Sequence, residues 1–192
     1  MSGQVFSSSF GQSSIAGQRN PAIDFTVPAR LLQQQMSMIQ TFMQSSKERD
    51  PATVLRFLQD EVIQHFDLDT MAQWIAGKAY SQMEIQEQAS FQNRLKEKIF
   101  AVIGRELGIF SSQALRLNFF PPRQIGPADV AIVARVFHPQ QPPIRMMFKF
   151  HHLANQGWKI FDVSINGMSA LAYYRRHYQQ GFLKYGSQVF LK

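Results

Sequence analysis

The apolar residues of this chain change their spacing once, close to Gly108, and this change constrains the fold more than any other feature of the sequence. Before it, apolar residues recur at intervals of three and four, the period of an amphipathic helix. After it, they alternate with polar residues, the period of a strand that buries one face. Helices and strands segregated in this way, with short connections between the strands, predict an α+β fold.

Four helices are expected in the first half of the chain. The first begins near Pro28 and the second at Pro51, since proline suits the first turn of a helix. The third is short and follows residues 66–69. A capping box formed by Ser81 and Glu84 opens the fourth helix, which is long.

Strands and a last helix are expected in the second half of the chain. The predicted strands are 115–119, 129–137, 144–151 and 158–165, and the helix is 168–184. The architecture is therefore N-terminal helices packed on a four-stranded antiparallel sheet, followed by a C-terminal helix. The Ser-, Gly- and Gln-rich residues 1–24 show neither period and are expected to form a flexible tail, so that 25–192 form a single domain. They also lack the cationic start and apolar run of a secretory leader.

Charge is distributed unevenly along the 192 residues, whose formal net charge is +7. Residues 1–110 carry ten Lys or Arg against eleven Asp or Glu, whereas residues 111–192 carry ten against two. A basic second half indicates a surface that meets an anionic partner, either an anionic membrane or a nucleic acid. The alternative is that the basic surface only keeps the protein dispersed in water. No RNA-binding sheet signature or recognition helix is present, so we expect no nucleic-acid partner.

Several classes of chemistry are excluded by what the sequence lacks. It contains no cysteine, which excludes thiol catalysis, a disulfide framework and a cysteine zinc site. Neither a zinc-protease helix motif, nor a Gly-rich phosphate loop, nor a nucleophile elbow occurs. His151 and His152 are adjacent in a predicted strand and point to opposite faces, so they cannot chelate one ion together. We therefore expect no metal site.

Asp162 is the strongest candidate for a catalytic group, because it lies in the middle of an otherwise apolar strand. In a cone-shaped α+β fold, a carboxylate in an apolar pocket has a raised pKa and acts as the general base of an isomerase or dehydratase. The alternative, which we favour, is that Asp162 faces outward and pairs with an arginine on a neighbouring strand.

Phenylalanine and methionine are abundant, at 17 and 9 residues. Both fill ordinary cores, and methionine also adapts to irregular apolar ligands. Residues 144, 146, 148 and 150 form an apolar sheet face that the helical stripes can cover. The composition is therefore compatible with a filled core or with a ligand cavity.

Two segments resemble the periplasmic phospholipid-carrier family of the Mla system, the MlaC or toluene-tolerance family. The first is Phe66-Asp67-Leu68-Asp69-Thr70-Met71-Ala72 through Gly77, followed by Tyr80, Ser81, Gln88, Phe91 and Leu95. The second is Trp158-Lys159-Ile160-Phe161-Asp162-Val163-Ser164-Ile165-Asn166-Gly167-Met168-Ser169-Ala170-Leu171, followed by Tyr174, Arg175 and Phe182. The resemblance spans residues 30–188, and Asn166 stands where the family more often has an acidic residue.

The resemblance implies a carrier without catalytic residues or a cofactor, whose cargo is a phospholipid. It implies transport across the periplasm between an inner-membrane ABC transporter complex and an outer-membrane lipoprotein complex, which maintains the lipid asymmetry of the outer membrane. A carrier of this kind needs an apolar cavity, because each exposed methylene costs about 0.8 kcal/mol in water. The implied mature location is the periplasm.

Ten apolar residues are candidates for lining the lipid cavity on this basis: Met71, Ile75, Phe91, Leu95, Met146, Phe148, Phe150, Phe161, Val163 and Leu171. Cationic residues of the last helix attract anionic surfaces by about 1 kcal/mol each when they lie near them. Arg175, Arg176 and Lys184 are therefore candidates for docking to a partner complex or to a membrane surface.

Overall fold

The helices of the first half of the chain are those that the apolar period predicts. The structure, a computed structural model, describes residues 23–45, 51–106, 116–138 and 141–185. Its helices are α1 Val27–Ser45, α2 Pro51–Phe57, α3 Leu68–Ala76, α4 Ile85–Glu106 and α5 Ala170–Tyr185. A π-helical turn, Leu58–Val62, and a 3-10 turn, Ile63–His65, continue α2 toward α3, and a second 3-10 segment, Gly77–Gln82, follows α3.

The sheet has six antiparallel strands rather than the four that the sequence predicts. They are β1 Arg116–Phe119, β2 Arg123–Gly126, β3 Asp129–His138, β4 Gln141–Leu153, β5 Gly157–Ile165 and β6 Met168–Ser169. The order is β1-β3-β4-β5-β6, and β2 also pairs with β3. The two additional strands, β2 and β6, are short. Pro121 and Pro122 divide one edge strand into β1 and β2, since proline cannot donate to a ladder. Strand β6 occupies the start of the segment that the sequence predicts as the last helix.

One face of the sheet packs against helices and forms the core. The residues of β3 that belong to this core are Val130, Ile132, Ala134 and Val136. Their partners across the β3–β4 register include Met146, Phe148 and Phe150, which are buried as well. In β4 mostly polar and cationic residues alternate with them, as the period of two predicts, whereas the residues that lie between the core residues of β3 are apolar except for Arg135. We call the helix-covered side the inner face and the opposite side the outer face.

The segment before α3 connects the helices to the sheet. Asp67 is the N-cap of α3, and its carboxylate accepts hydrogen bonds from Thr70 N at 2.9 Å and Thr70 Oγ1 at 2.8 Å. The backbone N–H of Asp67 donates to the carbonyl of Ile160 in β5 at 2.9 Å. Phe66 forms a parallel bridge with the same residue and packs against Phe100 of α4. The first family motif therefore joins α3 and α4 to β5.

A hydrogen-bonded cluster behind α3 involves the other polar residues of that motif. The Tyr80 hydroxyl donates to Asp69 Oδ1 at 2.7 Å and accepts from Gln92 Nε2 at 2.6 Å. Gln88 donates to the carbonyls of Tyr80 and Met83. Burial, followed by the hydrogen bond to Asp69, raises the pKa of Tyr80 to about 12.

The predicted capping box is displaced by three residues. Helix α4 begins at Ile85, and the N–H of Glu84 donates to the side chain of Glu87 at 2.9 Å. Ser81 instead donates to the carbonyl of Lys78. The prediction was wrong because residues 77–82 form a 3-10 segment that keeps Ser81 outside α4. Residues 1–22 of the predicted tail and the segment around Gly108 lie outside the described residues.

The raised pKa of Tyr80 predicts a pH-dependent contribution to stability. An unfolded tyrosine ionises near pH 10, whereas the folded Tyr80 ionises near 12. The unfolded state therefore loses its proton first, and the free energy of unfolding falls as the pH rises from about 10 to 12. Urea unfolding of the wild type and Tyr80→Phe over this pH range should show a steeper fall for the wild type. Parallel curves for the two proteins would contradict the assignment.

Candidate functional site

A narrow apolar slot separates α1 from the inner face of the sheet. Its walls come from α1, from residues 58–66, from Phe100 of α4 and from the inner face of β4 and β5. The lining residues are Leu31, Leu32, Gln35, Met36, Ile39, Leu58, Val62, His65, Phe66, Phe100, Phe148, Phe150 and Ile160. The slot has a volume of about 30 Å³, roughly the volume that one water molecule occupies in the liquid. An acyl chain does not fit into a slot of this volume.

Two polar side chains line this otherwise apolar slot. Gln35 of α1 is 8% exposed, and among the described residues its Oε1 has no hydrogen-bond partner. Its Nε2 lies 3.9 Å from the sulfur of Met38. Burial, and to a smaller degree the charge of Lys159, lowers the pKa of His65, so this imidazole is neutral at pH 7. An unpaired buried amide is costly, but the surface of the slot itself is entirely apolar, so a ligand in the slot does not reach this oxygen without a movement of the side chain.

The ten predicted lining residues lie at different depths. Nine are buried, but only Phe148 and Phe150 line the slot. The buried residues of α3, α4 and α5 belong to the same apolar core: Met71, Ile75, Phe91, Leu95 and Leu171. Met146 and Val163 belong to this core as well and lie on the inner face of the sheet, where their cross-strand partners are Ala134 and Phe148.

Phe161 departs from the expected alternation because β5 contains a bulge. Lys149 pairs with Asp162 and Phe150 with Ile160, which leaves Phe161 without a partner opposite it in β4. Its ring lies 5.1 Å from that of His151 and is only partly buried. The alternation of apolar and polar residues cannot reveal a bulge, since the extra residue is recognised only from the pairing of the strand with its neighbour.

Several wall residues of the slot were not among the candidates. Leu32, Met36 and Ile39 of α1 recur at helical spacing, but this spacing does not say which surface they cover. Leu58 and Val62 have the same spacing, and Ile160 lies in the predicted strand 158–165. The periodicity of the sequence indicates that these residues are buried. That they meet in one slot depends on long-range packing, which the periodicity does not show.

Asp162 lies on the outer face and forms the centre of a polar cluster. Its residue is 1% exposed. The carboxylate is 2.9 Å from Lys149 Nζ, and it accepts hydrogen bonds from Ser169 Oγ at 2.9 Å and from Leu171 N at 3.3 Å. The favoured sequence interpretation was therefore right about an ion pair with the neighbouring strand, although the partner is a lysine. The general-base hypothesis requires Asp162 in an apolar pocket, and the structure places it on the opposite side of the sheet from the slot.

The turn between β5 and β6 accounts for the departure at Asn166. Asn166 and Gly167 have φ values of 49° and 88°, the left-handed region that suits a tight hairpin. The Asn166 side chain accepts a hydrogen bond from Arg145 N at 3.0 Å, and its own N–H donates to Arg145 O at 2.8 Å. Asparagine tolerates a positive φ, and here it also extends the ladder with β4.

Two of the three candidate docking residues lie on the exposed side of α5. Arg175 and Arg176 are exposed, and Arg176 borders a shallow depression that also contains Tyr173 and His177. Lys184 lies within α5, and its side chain is outside the described part of the structure. Neither arginine borders the apolar slot.

Comparison with known proteins identifies the family. A phospholipid-binding protein from Ralstonia solanacearum, solved in complex with a phospholipid, has the same fold, with a TM-score of 0.70 over 82% of this chain and 88% of that chain at 15% identity. The family model described as MlaC protein matches residues 32–191. The chain belongs to the MlaC family. No curated protein is detectably similar to it in sequence.

Both motifs of this MlaC-family chain have structural roles at β5. Asp67 caps α3 and joins it to the strand, and Asp162 joins the strand to α5. Within the described ranges, no cluster of three or more His, Cys, Asp or Glu is arranged to hold a metal ion. No helix in those ranges combines the length and the apolar character needed to cross a bilayer.

The position of Asp162 predicts that Asp162→Asn reduces stability. The variant keeps the shape of the side chain but leaves Lys149 without its counter-charge, which should cost about 2 kcal/mol of the free energy of unfolding. Asp60→Asn removes an exposed carboxylate of α2's continuation and should cost less than about 0.5 kcal/mol. Urea unfolding at pH 7 provides the measurement, and equal stabilities for the two variants would contradict the structural role.

Proposed function

We propose that this protein is a phospholipid carrier without catalytic activity, in which the acyl chains bind between α1 and the inner face of the sheet. The apolar slot at this contact, in a chain of the MlaC family, is the observation that carries the proposal. The Ralstonia solanacearum protein of the same fold binds a phospholipid. The biological role that we propose is transfer through the periplasm between an inner-membrane ABC transporter complex and an outer-membrane lipoprotein complex.

The way in which α1 is attached supports this mechanism. The segment before it is held on the sheet, because Trp158 Nε1 donates to the carbonyl of Asp24 at 3.2 Å and the rings of Phe25 and Trp158 are 5.7 Å apart. In the described part of α1, the recorded side-chain hydrogen bonds of Arg30 and Gln35 end on Asp24 and Met38, within the helix and the residues just before it. The contacts of α1 with the core are apolar.

Apolar contacts of this kind can be exchanged for a lipid at little cost. When α1 moves away from the sheet, no hydrogen bond of the described structure has to break between them. The apolar surface that the movement exposes is covered by the acyl chains, at about 25 cal/mol for each Å². Phe42 of α1 stacks on Phe57 of α2 at a ring distance of 4.0 Å, so α1 and α2 should move as one unit about the segment that Trp158 holds.

Lipid extraction tests the proposal. Protein purified from a lipid-containing host should release phospholipid on organic extraction, detected by mass spectrometry. Leu31→Asp places a carboxylate at the edge of the slot, where the side chain is only partly buried, and should reduce retained lipid on the order of 10-fold. Gln34→Asp, on the exposed side of the same helix, should not.

The circular dichroism spectra and thermal midpoints of both variants establish that they are folded before their lipid content is compared. Repeated extraction of the wild type without any phospholipid would overturn the carrier function. Equal retention by Leu31→Asp and the wild type would overturn the location of the binding site.

Docking by the cations of α5 is the second part of the proposal. Arg175 and Arg176 are exposed and separate from the slot, and Lys184 follows them on the same helix. Reversing all three charges to glutamate should slow the transfer of lipid to an acceptor complex and leave the bound lipid unchanged. Arg56→Glu with Lys78→Glu and Arg116→Glu changes three exposed cations elsewhere and controls for net charge. A stopped-flow transfer assay with fluorescent phospholipid measures the rates, and unchanged rates in the triple variant would refute this role.

A further inference from the structure

The outer face of the sheet carries a groove that is unrelated to the slot. It has a volume of about 590 Å³ and is lined by residues of β2, β3 and β4 and of the segment between β1 and β2, with no contribution from a described helix. The side chains of Ala131, Val133 and Met147 are its apolar walls. Because neighbouring residues of a strand point to opposite faces, the residues of β4 that line the groove alternate with those that form the core.

Cationic residues surround this groove. They are Arg123, Arg135, Arg145 and Lys149. Lys149 is paired with the buried carboxylate of Asp162. Among the described residues, no carboxylate is within ion-pair distance of the other three. The groove therefore presents three arginines that the described part of the chain does not neutralise.

Two of these arginines face each other directly. Arg135 of β3 and Arg145 of β4 are register partners in the antiparallel pair, and both are exposed. Like charges placed directly opposite each other on a sheet are destabilising. A pair that costs stability and has no counter-ion in the described structure indicates an external anion.

Exposed apolar side chains lie beside the arginines. Phe120 is 43% exposed and Ile125 is 42% exposed, and both border the groove on either side of Arg123. The Arg135 guanidinium lies over the Phe120 ring, 5.6 Å from its centre. A surface that combines cations with exposed aromatic and aliphatic side chains matches the membrane interface, where phosphates lie next to apolar chains.

We propose that this outer-face groove docks the protein on an anionic phospholipid bilayer. Headgroup phosphates bind Arg135, Arg145 and Arg123, while Phe120 and Ile125 enter the interfacial layer. A free anion would use only the cations, whereas a bilayer uses both kinds of side chain. Since α1 lies against the opposite face of the sheet, it remains free to move. The proposal does not depend on whether the protein carries a lipid.

Vesicle flotation tests the proposal with the full chain. Vesicles of phosphatidylcholine alone are compared with vesicles that contain about one third phosphatidylglycerol, at low and at physiological salt. We expect binding to the anionic vesicles that weakens with salt. Arg135→Gln with Arg145→Gln should weaken it on the order of 30-fold, from about a 5-fold effect for each cation. Arg56→Gln with Lys78→Gln removes the same charge elsewhere and should change it less than about 2-fold.

Two further readouts separate docking from a structural effect. The Arg135→Gln, Arg145→Gln variant should melt at or above the wild-type temperature, because it removes a repulsion. Phe120→Ser with Ile125→Ser should weaken the binding that remains at physiological salt. The proposal is overturned if the wild type does not bind anionic vesicles, if the control pair weakens binding equally, or if the groove variants bind as the wild type does.

One alternative occupant is an acidic protein surface. If the arginine variant still binds anionic vesicles but no longer exchanges lipid with a membrane complex, the groove is a protein interface and the bilayer proposal is wrong. The lipid content of every variant is measured in the same preparations. If docking fails while the lipid content is normal, the groove proposal has failed. If lipid retention fails while docking is normal, the carrier proposal has failed.

Discussion

The buried carboxylate of Asp162 is the constraint on which the arrangement of the second half of the chain depends. A charge this deeply buried is tolerated only with partners, and its partners come from three places: Lys149 of β4, Ser169 of β6 and the N-terminal turn of α5. Meeting all of them fixes the turn at Asn166 and Gly167 and the direction in which α5 leaves the sheet. The second family motif contains Asp162, the turn at Asn166 and Gly167, and Ser169, which are the residues that this arrangement requires.

Asp67 has the corresponding role further along β5, where its carboxylate caps α3 and its backbone N–H joins that helix to Ile160. Two aspartates therefore attach α3 and α5 to one strand through directional hydrogen bonds, Asp67 by its backbone and Asp162 by its carboxylate. The body of α1 contacts the core through apolar side chains, whose interactions are not directional. This difference divides the described structure into a part that polar contacts hold in place and a helix whose contacts with the core are apolar.

The local part of this fold can be predicted from the sequence, and the long-range part cannot. The change of period at Gly108 correctly predicts the helices, the antiparallel sheet and the last helix, because periodicity reports which face of an element is buried. It does not show the bulge that displaces Phe161, since pairing depends on the neighbouring strand. The periodicity also does not show that Leu32 and Met36 of α1 meet Phe148 of β4, because an apolar stripe does not specify the surface against which it packs. Because the sequence does not show which residues of neighbouring strands meet, it favours an outward position for Asp162 but does not establish it.

The alternation of side chains along β4 divides them between the helix-covered inner face and the groove of the outer face. Met146, Phe148 and Phe150 face the helices, and Arg145, Met147 and Lys149 face the groove. A slip of one residue in the pairing of β4 would place the arginine and the lysine in the core and the phenylalanines in water. The register is held from outside the apolar face, by the Lys149–Asp162 pair and by the two hydrogen bonds between Arg145 and Asn166. The polar contacts of the outer face thus determine which residues form the apolar slot, although none of them takes part in it.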